Sequence, residues 1–197
     1  MKKMMSKIAM GLGLSIALIA CTKDEETIVV PVSAITVKDL AADTVTGLGL
    51  DGRPKSAGTT TYYSLVDNKE VASTDAASTK WDIAFSSTKI LINGGTSGPG
   101  IGGAFVYVGL FDALKTIPAD SNFATDNANA AAFAIPLGSG KAWYTYDGLT
   151  TLVSPIAGRV LVIRTATGKF AKIEIISYYK GGVTLPASAS VNDKLFK

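Results

Sequence analysis

The side chains that could do chemistry in this chain are phenols, carboxylates and one thiol. Its 197 residues contain no histidine, and the one cysteine is Cys21. All four methionines, Met1, Met4, Met5 and Met10, lie within the first ten residues. Cys/His zinc sites, Fe–S clusters and blue copper are therefore excluded, as are Ser-His-Asp and Cys-His catalysis. No disulfide can form within the chain, so the core must hold by burial alone. What remains is oxygen. In Trp143-Tyr144-Thr145-Tyr146-Asp147 a strand would put Tyr144 and Tyr146 on one face and Trp143 and Thr145 on the other. That is an aromatic platform with two phenol oxygens. It is equally the pattern of a strand with one face in the core and the other under a loop.

Other oxygen-rich stretches carry weaker signals. Asp120, Asn122, Asp126, Asn127 and Asn129 suggest calcium, but Ala124 takes the fifth place of an Asp-x-Asp/Asn-x-Asp/Asn-Gly loop and Thr125 replaces its glycine. Asx turns in a surface loop account for them more simply. The glycine-rich run from Gly94 to Gly103 contains no Gly-Lys-Ser/Thr and leads toward a strand. It lacks the helix N-terminus that would hold phosphate and reads as a sharply turning connection whose backbone approaches a neighbour closely. Glu174 shares a strand face with Lys172, which predicts a same-face or a cross-strand ion pair. With the usual general base missing, the chain is not expected to be an enzyme, and no metal site is expected.

Cys21 follows a basic head (Lys2, Lys3, Lys7) and an apolar stretch from Ile8 to Ala20. That stretch is too short to span a bilayer and reads as a cleaved secretory signal. Its end, Leu18-Ile19-Ala20-Cys21, resembles the lipobox of bacterial lipoproteins, which implies cleavage before Cys21 and lipid on its thiol. Residues 1–20 are then the signal peptide, residues 21–32 a lipidated tether and residues 33–197 the folded domain. The net charge of +3 belongs to the signal, since removing its three lysines leaves 16 basic against 16 acidic side chains. A neutral domain has no electrostatic footprint for nucleic acid. The run Thr22-Lys23-Asp24-Glu25-Glu26 is a solvated tether. It also resembles the acidic export signals of lipoproteins that reach the cell surface.

The elements that must position the candidate residues read as strands and turns. Ile35 and Val37 alternate with polar neighbours, and Thr60–Val66 is rich in Thr, Tyr and Val. Trp81, Ile83 and Phe85 fall on one face at period two. Lys89–Asn93 and Ala104–Leu110 flank the glycine-rich loop, and Trp143–Asp147 is a further strand. Arg159–Thr165 and Phe170–Tyr178 form a hairpin, with Gly168 able to supply positive φ. Thr125–Phe133 predicts a turn or two of helix capped by Asp126. The expected fold is all-β, a single, mainly antiparallel β domain.

Several of these stretches, in order, resemble the HmuY family of haem-binding surface lipoproteins. They are Lys80-Trp81-Asp82-Ile83-Ala84-Phe85, Asn93-Gly94-Gly95, Gly102-Gly103-Ala104, Ser154-Pro155, Gly158-Arg159-Val160, the segment from Val162 to Glu174, and Ser177-Tyr178-Tyr179-Lys180. The resemblance runs from about Thr60 to Gly181. It implies an all-β domain with projecting hairpin fingers that captures haem at the outer membrane and cell surface and feeds it to an outer-membrane receptor. Family members hold iron through paired histidines or methionines, and residues 21–197 have neither, so no family ligand carries over to any position. Haem or another porphyrin would then be held by burial and polar contacts, and tyrosinate is the ligand type available to iron, with Tyr144 and Tyr146 as candidates. The alternative is a surface lipoprotein that uses the fold to bind a protein or glycan partner.

Overall fold

The computed structural model describes residues 34–43, 45–50, 54–129, 132–150 and 152–183. The expected signal, the lipidated Cys21 and the tether lie outside these residues. The chain divides into units Met1–Ile35 and Thr36–Lys197, and every strand below belongs to the second.

Eleven strands are described: β1 Val45–Leu48, β2 Pro54–Ser56, β3 Thr61–Ser64, β4 Lys69–Val71, β5 Ile83–Ser86, β6 Lys89–Ile92, β7 Gly103–Val108, β8 Tyr144–Asp147, β9 Leu152–Pro155, β10 Arg159–Arg164 and β11 Phe170–Glu174. All pair antiparallel, in sheets ordered β4-β3-β5-β6 and β11-β10-β7 and in the two-stranded ribbons β1-β2 and β8-β9. The fold is all-β. Ile35 and Val37 form no strand and are exposed. At the start of the span Thr125–Phe133, where a turn or two of helix is expected, Asp126 instead bridges Gly95. Further on, Ala132 N–H donates to Asn129 O at 2.8 Å in a tight turn, and residues 130 and 131 lie outside the described residues.

One cluster joins the two larger sheets. Tyr63, Ile83, Ile90 and Ile92 from the first meet Ala104, Leu161 and Ile163 from the second, with Trp143, Tyr144 and Val153 from the β8–β9 ribbon. Strand β10 has no alternation because both its faces are covered. Leu161 and Ile163 enter this core, while Val160 and Val162 pack with Leu114 under Phe105, Tyr107, Phe111 and Phe123. The β10–β11 hairpin turns at Gly168, whose φ of 91° favours glycine. Thr165 N–H donates to Lys169 O at 2.8 Å and Gly168 N–H to Thr165 O at 3.1 Å.

The glycine-rich loop closes around three buried polar side chains. The Asp82 carboxylate accepts from the N–H groups of Leu65 (2.8 Å) and Ala166 (2.9 Å). Asn93 donates to the carbonyls of Ser78 (2.8 Å) and Trp81 (2.7 Å) and accepts from Gly100 N–H at 2.9 Å. Asp126 accepts from Ile92 N–H (2.9 Å) and Ala134 N–H (3.0 Å). Asp126, 2 % exposed, is thus an internal acceptor rather than part of a surface Asx turn. Around these groups the loop leaves no room. A Cβ on Gly98 would lie 2.2 Å from Asn93 Oδ1, and one on Gly102 would lie 2.4 Å from Asn93 O.

The expected Lys172–Glu174 ion pair is absent. Lys172 Nζ instead donates to the carbonyls of Phe111 and Leu114 and sits 4.1 Å from the centre of the Phe111 ring. Carbonyls left open where the chain turns out of the β7 strand draw the ammonium more strongly than a carboxylate along the same strand.

Candidate functional site

The two predicted tyrosines stand on β8, and the structure separates their environments. Tyr144, paired with Pro155, is 9 % exposed and belongs to the core. Its ring lies 4.9 Å from that of Trp143. Tyr146, paired with Val153, is 49 % exposed. The shared face holds by register, but the ribbon outruns the core beneath it, so burial ends after Tyr144. Trp143 is buried too, its indole N–H donating to Thr88 O at 3.2 Å.

At the tip of the ribbon, Asp147 accepts from Leu149 N–H (2.9 Å) and from the Thr150 hydroxyl (2.6 Å). These bonds, the hydroxyl first, hold its carboxyl below the ordinary aspartate value. They shape a turn that leaves Leu149 97 % exposed. The ribbon therefore offers solvent an apolar tip, Leu149, and an aromatic flank, Tyr146.

Beneath the ribbon lie two tyrosines that strand periodicity did not assign to the site. The ring of Tyr178 is 5.8 Å from Trp143 and 5.4 Å from Tyr179. The Tyr179 hydroxyl accepts from Val153 N–H at 2.9 Å and so fastens β9 from below. Burial raises the pKa of both phenols above the ordinary tyrosine value, and for Tyr179 the bond from Val153 opposes that rise. Both stay neutral, as supports rather than phenolates. The available signal was the adjacent pair Tyr178-Tyr179 a few residues beyond β11, where consecutive aromatics cannot share one strand face.

At the foot of the ribbon opens a recess of about 430 Å³, walled by Ser154, Pro155, Ile156, Ala157, Glu174, Ile175 and Ile176. It is apolar except for the serine and the carboxylate. Among the described residues no group of three or more His, Cys, Asp or Glu side chains could hold a metal ion, and no helix is long and apolar enough to cross a membrane. The recess offers apolar surface and one carboxylate, and the accessible phenol, Tyr146, stands farther along the ribbon, outside the recess walls.

Fold and ribbon together define a β domain that presents a ligand-sized apolar surface beside a projecting hairpin. The family model described as HmuY protein matches residues 56–187, and the chain belongs to the HmuY family. That family is of haem-binding, surface-protein type. No curated protein matches the chain.

Proposed function

We propose that this protein captures haem, or a related porphyrin-like molecule, at the cell surface, held in the outer membrane by lipid on Cys21, and passes it to an outer-membrane receptor. The observation that carries this reading is the apolar recess at the foot of the β8–β9 ribbon, in a chain of this family. Its volume of about 430 Å³ lies within the range of roughly 300–1,000 Å³ common to small-molecule sites. A ligand of about 40 heavy atoms gaining roughly 0.3 kcal/mol from each could reach about −12 kcal/mol without any bond to its metal. The ribbon residues divide the work in this reading. Tyr178 and Tyr179 hold the ribbon in place, and a ligand seated in the recess that extends along the ribbon would meet the exposed Tyr146 ring and its oxygen. Tyr144, packed in the core, is not placed to be a second ligand, so any iron would be held from one side.

A haemin titration followed at the Soret band tests this. The expected product is a high-spin species with phenolate charge-transfer bands, which Tyr146→Phe removes. Iron-free protoporphyrin should bind almost as well as haemin, because burial supplies most of the affinity. A sharp low-spin spectrum would sink the reading. No spectral change and no porphyrin binding would favour the second reading, a surface lipoprotein that grips a protein or glycan. The burial of Tyr144, which removes one of the two candidate ligands, is the observation on that side. The anchor is tested separately: Cys21→Ala should abolish lipid labelling and release the protein from membranes.

A further inference from the structure

The recess at the foot of the β8–β9 ribbon carries one charge, and that charge has no ion-pair partner among the described residues. The walls are apolar except for Ser154 and Glu174, so the charge is the Glu174 carboxylate. The ion pairs among the described residues are Lys69–Asp67 and Lys80–Asp75, and Glu174 belongs to neither. Lys172, two residues back on the same face, has its ammonium on the carbonyls of Phe111 and Leu114. Arg159 precedes Val160, the residue opposite Glu174, and strand alternation sends it to the other face of the sheet. The facing wall is poor in donors. Ile156 N–H is committed to Trp143 O at 2.8 Å, and Pro155 has no N–H to give. An anionic group entering here meets a like charge and finds no backbone donor at either residue.

We propose that Glu174 makes the recess selective for charge, so that it takes a flat apolar molecule by an edge bearing a cation or a hydrogen-bond donor. This rests on the recess as the ligand site and adds which end of the ligand enters. Apolar walls thin the water around the carboxylate, which strengthens its hold on a positive group and its repulsion of a negative one. The Ser154 hydroxyl can donate or accept and adds no preference of sign. A porphyrin with two carboxylates must then turn them toward solvent, away from Glu174. One whose carboxylates are capped with amines is held by that same end.

Three probes with one ring test this: protoporphyrin, its neutral bis(2-hydroxyethyl) amide and its cationic bis(2-aminoethyl) amide. Binding to the full-length chain in a neutral detergent is read by porphyrin fluorescence anisotropy, with protein-free micelles as the blank. The cationic amide should bind roughly tenfold tighter than the dicarboxylate, with the neutral amide between them. Glu174→Gln keeps the size of the side chain and removes its charge. It should bring the three probes within about twofold of one another and leave the affinity for the neutral amide unchanged. Glu70→Gln, at an exposed position of β4, should leave the order as it was. Equal binding of the three probes to the unmodified chain would overturn the charge selectivity and leave the recess standing as a site. So would an order that survives Glu174→Gln, an order lost in Glu70→Gln, or a neutral-amide affinity that falls with Glu174→Gln. Binding of none of the probes would remove the recess reading and this proposal with it.

Discussion

The loop around Asn93 and the β8–β9 ribbon are both turns between strands, yet they are built in opposite ways. In the loop, Asp82, Asn93 and Asp126 are almost wholly buried and every bond they make goes to backbone. In the ribbon, Tyr146, Asp147 and Leu149 are exposed, and beyond their own hairpin Tyr146 N–H donates to the Ser139 hydroxyl at 2.8 Å. Two of the motifs that carry the family resemblance, Trp81-Asp82 and Asn93-Gly94-Gly95, lie in the first region, and one, Ser154-Pro155, lies on β9 of the second. The phenol proposed to meet a ligand stands on the facing strand β8, outside these motifs.

The sharpest way to break this contrast is to empty the loop of a carboxylate. Asp82→Ala leaves the N–H groups of Leu65 and Ala166 without acceptors. It should cost about 3 kcal/mol or more in urea unfolding. A loss below about 1 kcal/mol would mean that the loop is not the keystone described. A smaller but more direct comparison places the same methyl in both regions. Gly98→Ala drives a Cβ into Asn93 and Trp81 and should cost about 2 kcal/mol, whereas Gly148→Ala, with no atom within 4 Å, should change stability by less than about 0.5 kcal/mol.

The support beneath the ribbon gives a third, pH-dependent effect. Burial raises the pKa of Tyr178, so the folded phenol resists ionisation while the unfolded one titrates near the ordinary tyrosine value of about 10. Its stabilising contribution is complete below that value and declines as pH rises toward the folded one. Stability should fall by about 1 kcal/mol between about pH 9 and about pH 11, and Tyr178→Phe should flatten the slope. Tyr179 and Tyr63, raised in the same direction, would leave a residual decline. The smallest effect is expected at Tyr146→Phe, which should leave the melting temperature unchanged while altering only ligand spectra. A clear loss of stability there would move Tyr146 from the binding surface to the scaffold.

Much of the fold was legible in the chain. Trp81 and Ile83 are buried as their spacing implies, both 0 % exposed, although Asp82 and Ala84 are buried with them and Phe85 only half-buried, and Gly168 turns the hairpin that joins β10 and β11. The glycine-rich run proved to be the close backbone approach that its composition suggested. The buried acids were not legible. Asp126 reads as a surface residue because its neighbours are Asn and Ala, and its partners, Ile92 and Ala134, are backbone groups whose identity the sequence does not encode. Lys172 misled for the same reason, since its carbonyl acceptors lie 61 and 58 residues away along the chain. Tyr144 and Tyr146 shared a face as predicted, but where a ribbon outgrows its core depends on tertiary length rather than on local pattern.

The bond from Ala166 N–H to Asp82 spans 84 residues, and it bears on how the protein comes into being. Asp82 is made early and waits for its partner until the turn after β10 has left the ribosome. Until then the carboxylate has the Leu65 N–H but lacks the donor of Ala166, and the surrounding strands lack their closing contact. Such late, distant contacts slow folding and keep partly made chains open. A polypeptide that cannot settle before it is nearly complete remains threadable for as long as its synthesis lasts.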